Sequence, residues 1–241
     1  MDPRDWALVA FTILTQAAVG AFLTLLLLST IASVPVTSSR GFQRGAHAIV
    51  LGVLAAGMVA ALFHLSTPLE AVRAMVNVTS SWLSREVVFG GLFSVLLGGL
   101  LLAERHDTRW WRAIHWLGWT AAAAAVTFLV CQINIYLLPA QPSWNSLATP
   151  LAFGGTTLRL GVLGVAVGLL WYGVDKTRRE QESAHSHATT FATLRWLVVL
   201  GLFGLVAELV VVALQVAPLA DGTPAAALAS ARRLTEDYRD V

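Results

Sequence analysis

The chain has 241 residues, 56% of them apolar and 12% charged, with a mean hydropathy of +0.69. A soluble domain carries roughly twice that share of charge, so the composition describes an integral membrane protein. The formal charge of +2 leaves no basic excess for nucleic acid. The single cysteine, Cys131, excludes an internal disulfide framework, a cysteine-ligated cluster and a CxxC redox pair. An electron-carrying metal held by this chain alone would need histidines.

A bilayer core takes about 20 apolar residues as helix. Six stretches qualify: Trp6–Val34, Ala46–Leu65, Val87–Ala103, Ile114–Leu138, Pro150–Gly173 and Leu194–Ala217. The first lacks a basic flank and exceeds a signal peptide's apolar length, so it reads as a retained span. It carries Gln16. The second opens near His47 and closes at His64 on the other side. Between His64 and the third span, Leu69, Val72 and Val76 are spaced as an amphipathic turn on the membrane surface. Ser84 is placed to cap the third helix, which Glu86 then opens. His64 and Glu86 thereby return to one interface at similar depth. An imidazole beside a carboxylate can accept a hydrogen-bonded proton from a hydroxyl, such as a quinol's at the lipid edge. The competing reading is an interfacial histidine and a helix-start glutamate favoured by the dipole.

Within the third span Gly90, Ser94 and Gly98 form a small-residue packing stripe, as do Gly164 and Gly168 in the fifth. The fourth span begins at His115 among Trp110, Trp111, Trp116 and Trp119, an interfacial belt. It also carries Gln132 and Asn134, for which interhelical hydrogen bonds are expected, as for Gln16. Trp144 lies in the next loop. Thr149-Pro150 reads as a cap and first-turn proline opening the fifth helix. Arg159 and Glu208 lie about nine residues from the same side of the fifth and sixth spans, so they are expected to pair as a structural ion pair. Between those spans, Asp175–Thr193 reads as a polar loop holding a weak His185-x-His187 pattern.

Haem needs two histidines on different helices at equal depth. His47 and His115 lie at the very ends of their helices, where a porphyrin would be half in water, so no haem is expected. One set of loops holds nine Lys and Arg and the opposite set three, with three more in the tail. Both termini are therefore expected outside, in the periplasm of a bacterial cell. The expected organisation is an all-α membrane bundle over 1–219 and a polar periplasmic tail over 220–241.

Three stretches carry a family resemblance. The first helix reads Trp6-x-Leu8-x-x-Phe11-Thr12-x-x-x-Gln16-x-x-x-Gly20-x-Phe22. His64-Leu65-x-x-Pro68 is followed by Leu83-Ser84-x-Glu86. The loop before the fifth span reads Tyr136…Pro142-Ser143-Trp144-x-Ser146-x-x-Thr149-Pro150. In that order and spacing, from Trp6 to about Tyr238, they resemble the membrane anchor subunit of dimethyl sulfoxide reductase-type molybdoenzymes. The resemblance implies an inner-membrane anchor of a bacterial or archaeal respiratory oxidoreductase, without haem. It implies binding of menaquinol or ubiquinol at the outer side, with His64 and Glu86 as the quinol residues. Arg85 is a candidate to hold the partner or a lipid headgroup, and Trp144 to cover the site. The implied partners are an iron–sulfur subunit and a molybdopterin catalytic subunit, which hold those cofactors. Electron flow can also run into quinone. Family members generally have eight spans, so six imply a protein truncated or shortened after the sixth helix. A haem b anchor and a small-molecule transporter are the alternatives.

Overall fold

The computed structural model describes residues 3–30, 40–64, 76–105, 111–139, 144–179 and 185–220. Among them the chain forms six helices: α1 (Pro3–Thr30), α2 (Arg40–His64), α3 (Trp82–Ala103), α4 (Trp111–Tyr136), α5 (Ala148–Arg179) and α6 (His185–Ala220). Each contains 20–25 consecutive residues apolar enough to cross a bilayer. In lipid every backbone polar group must be satisfied within the segment, which is why each crossing is a helix.

The helices alternate in direction. Gly57 of α2 lies against Leu14 and Thr15 of α1, while His47 meets Phe22 further along. Gly90 and Gly99 of α3 face Phe128 and Leu117 of α4, and Gly155 of α5 faces Ala207 of α6. One rim of the bundle, here the N-terminal rim, therefore gathers the starts of α1, α3 and α5 and the ends of α2, α4 and α6.

The central helix is α1, packed along α2 and α5, while α3 pairs with α4 and α5 with α6. Its backbone crosses α5 at Gly20 and Gly161, where a methyl on either glycine would overlap the other helix's main chain. The core side chains stack along α1: Phe22, Leu28, Phe93, Leu97 and Phe128 are fully buried. Phe22 and Phe93 have ring centroids 5.4 Å apart, and Phe11 meets Phe128 edge-on at 6.4 Å.

Several sequence expectations change. Gly90 does admit a neighbour, the Phe128 ring, but Gly98, Gly164 and Gly168 have nothing within 4 Å of an added methyl. Spacing by four marks a stripe without saying what it faces. α3 starts one turn earlier than expected, capped by Ser81, whose hydroxyl accepts from the Ser84 N–H at 3.3 Å. Ser84 is thus an inner first-turn residue, not the cap. α5 begins at Ala148, so Thr149 lies inside the first turn and donates its hydroxyl to the Trp144 carbonyl. Pro150 still costs no hydrogen bond there, because first-turn N–H groups have no intrahelical acceptor. The expected loop 175–193 is largely helical: α5 runs to Arg179, and His185 opens α6. Residues 175–179 and 185–193 hold neither proline nor glycine and continue the flanking helices, while 180–184 lie outside the described residues. Residues Leu69 and Val72, and the tail from 221 onward, lie outside the described residues.

Candidate functional site

Glu86 sits on the second turn of α3 and is 6% exposed. A helix-start glutamate would face water near the first N–H groups. This one is buried: with the cap at Ser81 it lies past the first turn, and the packing of α3 on α4 turns it inward. The Gln132 side chain of α4 lies beside it. Gln132 donates from Nε2 to the Thr15 hydroxyl of α1 at 2.9 Å, and Thr15 donates to the Phe11 carbonyl at 2.7 Å. α1 and α4 are thus tied by a buried polar network at the N-terminal rim, with Glu86 of α3 buried beside it.

That network is incomplete. Gln132 Oε1 is buried and, among the described residues, has no hydrogen-bond partner. A buried unmatched acceptor costs roughly 1–3 kcal/mol, so the position favours whatever brings a donor.

Around it stand the other residues singled out above. His64 is the last residue of α2, on the same rim by topology, and its side chain lies outside the described residues. The Arg85 guanidinium donates to the Val78 and Thr79 carbonyls at 2.8 and 2.7 Å and lies over the Trp82 ring at 4.3 Å. Its donors on that face are occupied in clamping the segment before α3. Trp144 packs on Tyr136 with centroids 5.9 Å apart, and Tyr136 in turn on Phe153 at 5.2 Å. This aromatic group closes the end of α4, one turn beyond Gln132.

The model of the DMSO reductase anchor subunit family (DmsC) matches residues 1–238. The protein belongs to that family. It is 29% identical over 188 residues to the C subunit of the anaerobic dimethyl sulfoxide reductase of Haemophilus influenzae, covering 74% of this sequence and 62% of that one. Against the YnfH subunit of an anaerobic dimethyl sulfoxide reductase of Escherichia coli (strain K12) it is 30% identical, covering 68% and 57%. Against the C subunit from the same organism it is 27% identical, covering 71% and 60%. The matched part thus spans about three fifths of the length of these relatives. No solved structure matches.

Elsewhere in this anchor-family protein, Arg159 of α5 meets the Glu208 carboxylate of α6 through Nη1, with both side chains about one third exposed. Gly204 of α6 makes room for the pair, lying against the aliphatic stem of Arg159. Asn134 does not bond across helices as expected. Its amide donates to the Val130 carbonyl of its own helix at 2.7 Å. Gln132, two residues earlier, faces the α1–α3 seam instead, since positions two apart point to different sides of a helix.

Sequence reasoning missed Gln132 as the neighbour of Glu86, and Thr15 altogether. The available signal was depth: Gln132 lies four residues from the end of α4 and Glu86 four from the start of α3. It also missed Glu104, which pairs with His47 at the opposite rim, the Nδ1···Oε1 distance being 2.8 Å.

Proposed function

We propose that this protein is the membrane anchor of a molybdopterin oxidoreductase complex and binds quinol at the N-terminal rim, with Glu86 as its buried carboxylate and His64 as the neighbouring imidazole. The observation that carries the reading is the buried Glu86 carboxyl set beside the Gln132–Thr15 hydrogen bond, with one Gln132 acceptor left open. A quinol brings two hydroxyl donors on an apolar ring, which suits an acceptor-rich position inside an apolar bundle.

In this reading, His64 accepts the hydrogen bond of one hydroxyl and Glu86 orients the ring or takes the proton onward. Gln132 of α4 stands beside the carboxylate. Loss of two electrons and two protons converts quinol to quinone. The electrons pass to an iron–sulfur partner subunit and from there to a molybdopterin catalytic subunit. The same groups, run in reverse, protonate a quinone. The charge asymmetry of the loops favours a periplasmic position for this rim and both termini, on the outer side of the inner membrane, so protons leave outward. Arg85 keeps a structural role in setting the start of α3, and Trp144 covers the rim beside α4.

The test is a quinol-analogue titration of the intact complex, with this protein purified together with its partner subunits. His64→Ala and Glu86→Gln are each expected to weaken binding about 10- to 100-fold, the loss of a hydrogen bond to a charged or strongly polar group. Subunit association is expected to be unchanged. Wild-type affinity in both variants would overturn the assignment.

A further inference from the structure

At the rim opposite Glu86, the end of α1, the start of α2, the end of α3 and the start of α4 border a half-open hollow of about 220 Å³. One side is apolar: the Phe22 ring, Leu26, Leu100 and Ile114. The other side holds Glu104, which is 9% exposed, beside His47 at 7%. Glu104 Oε1 is engaged by His47 Nδ1, but Glu104 Oε2 is buried and lacks a partner among the described residues. The Ser29 and Thr30 hydroxyls, the Gln43 amide and the His115 imidazole line the same hollow, and none of them hydrogen-bonds Glu104 Oε2. Thr30 donates to the Leu26 carbonyl, and the His115 Nε2 accepts from the Trp119 indole at 3.2 Å.

We propose that this hollow is a binding site for a neutral aromatic ring bearing a hydroxyl, of the phenol or hydroquinone class, whose hydroxyl donates to Glu104 Oε2. Three features select that chemistry. The unpaired atom is an acceptor, so the ligand must donate. The hollow is larger than the roughly 150 Å³ cavity that takes up benzene, so one ring with a polar substituent fits. Arg44 donates to the Glu104 carbonyl, placing a guanidinium beside the site, where an added cation would meet like charge. The Phe22 ring, already 5.6 Å from the His47 ring, supplies an aromatic wall for edge or offset packing. The site lies at the other end of the bundle and does not rest on the assignment made at Glu86.

The test uses the 241-residue protein in lipid nanodiscs under anaerobic conditions, titrated with 2,3,5-trimethylhydroquinone and followed by saturation-transfer NMR on the ligand. The corresponding benzoquinone serves as a ring of equal size that cannot donate. The hydroquinone is expected to bind at least tenfold more tightly than the quinone at this site. Glu104→Leu is expected to weaken hydroquinone binding at least tenfold, and Ile114→Trp, which fills the hollow from its edge, to abolish this binding component without lowering the unfolding midpoint. Glu86→Gln is expected to leave the component intact, so a failure of the quinol reading at the N-terminal rim is seen separately. Equal binding of quinone and hydroquinone, wild-type affinity in Ile114→Trp, or a hollow occupied by water only would each overturn the proposal.

Discussion

The crossing of α1 and α5 is the tightest contact in the bundle, and Gly161→Ala tests what it contributes. A methyl at Gly161 would stand 2.6 Å from the Gly20 Cα and nearer still to the Gly20 carbonyl. Ordinary carbon–carbon contact begins at about 3.5 Å, so the two helices must part by at least about 1 Å. A seam of about 60 atom pairs at about 0.15 kcal/mol each, losing about a third of its attraction, gives a destabilisation of about 3 kcal/mol. The comparison is Gly164→Ala, three residues further along the same helix, where nothing lies within 4 Å of the new methyl. There the higher helix propensity of alanine is expected to be neutral or stabilising by up to about 1 kcal/mol. Equilibrium unfolding in mixed detergent micelles with increasing denaturing detergent, followed by helix content, measures both. Equal effects of the two substitutions would refute the reasoning, because propensity is the same at both sites and only the neighbour differs.

Two further outcomes follow from named contacts. Replacing Arg159 or Glu208 singly by leucine leaves one charge uncompensated in a membrane span, and each variant is expected to lose about 2–4 kcal/mol, while the double replacement loses less than either. A double-mutant cycle showing coupling below about 0.5 kcal/mol would remove the pair from the account. Phe128→Ala, at a fully buried ring wedged against Gly90 and edge-on to Phe11, is expected to cost about 3–5 kcal/mol in the same unfolding assay. Adding Gly90→Ala is expected to restore part of that loss by refilling the space, and a purely additive result would show that the ring does not occupy it.

The six spans and the order in which they cross follow directly from residue chemistry. A stretch of about 20 apolar residues has one stable conformation in hydrocarbon, the helix, whatever its neighbours are. The depth of a polar residue is equally readable, since it is counted along the helix axis at a fixed rise. That is how Arg159 and Glu208 are brought to one level before any packing is known. Glu86 and His64 are assigned to one rim by the same count.

Depth does not give direction around the axis, and there the sequence is silent. A soluble helix announces its buried side by an apolar stripe facing the core. These helices are apolar on all sides, because lipid and protein interior are equally apolar. The Gln132–Thr15 bond beside Glu86, the His47–Glu104 pair beside its hollow and the Gly20–Gly161 crossing all depend on rotation about the helix axes. Only packing sets that rotation: close backbone approach at glycines and the need to partner buried polar atoms choose one orientation for each helix. Residue chemistry thus decided how many times the protein crosses the bilayer and at what level each polar group lies, and the assembled bundle decided which of those groups meet.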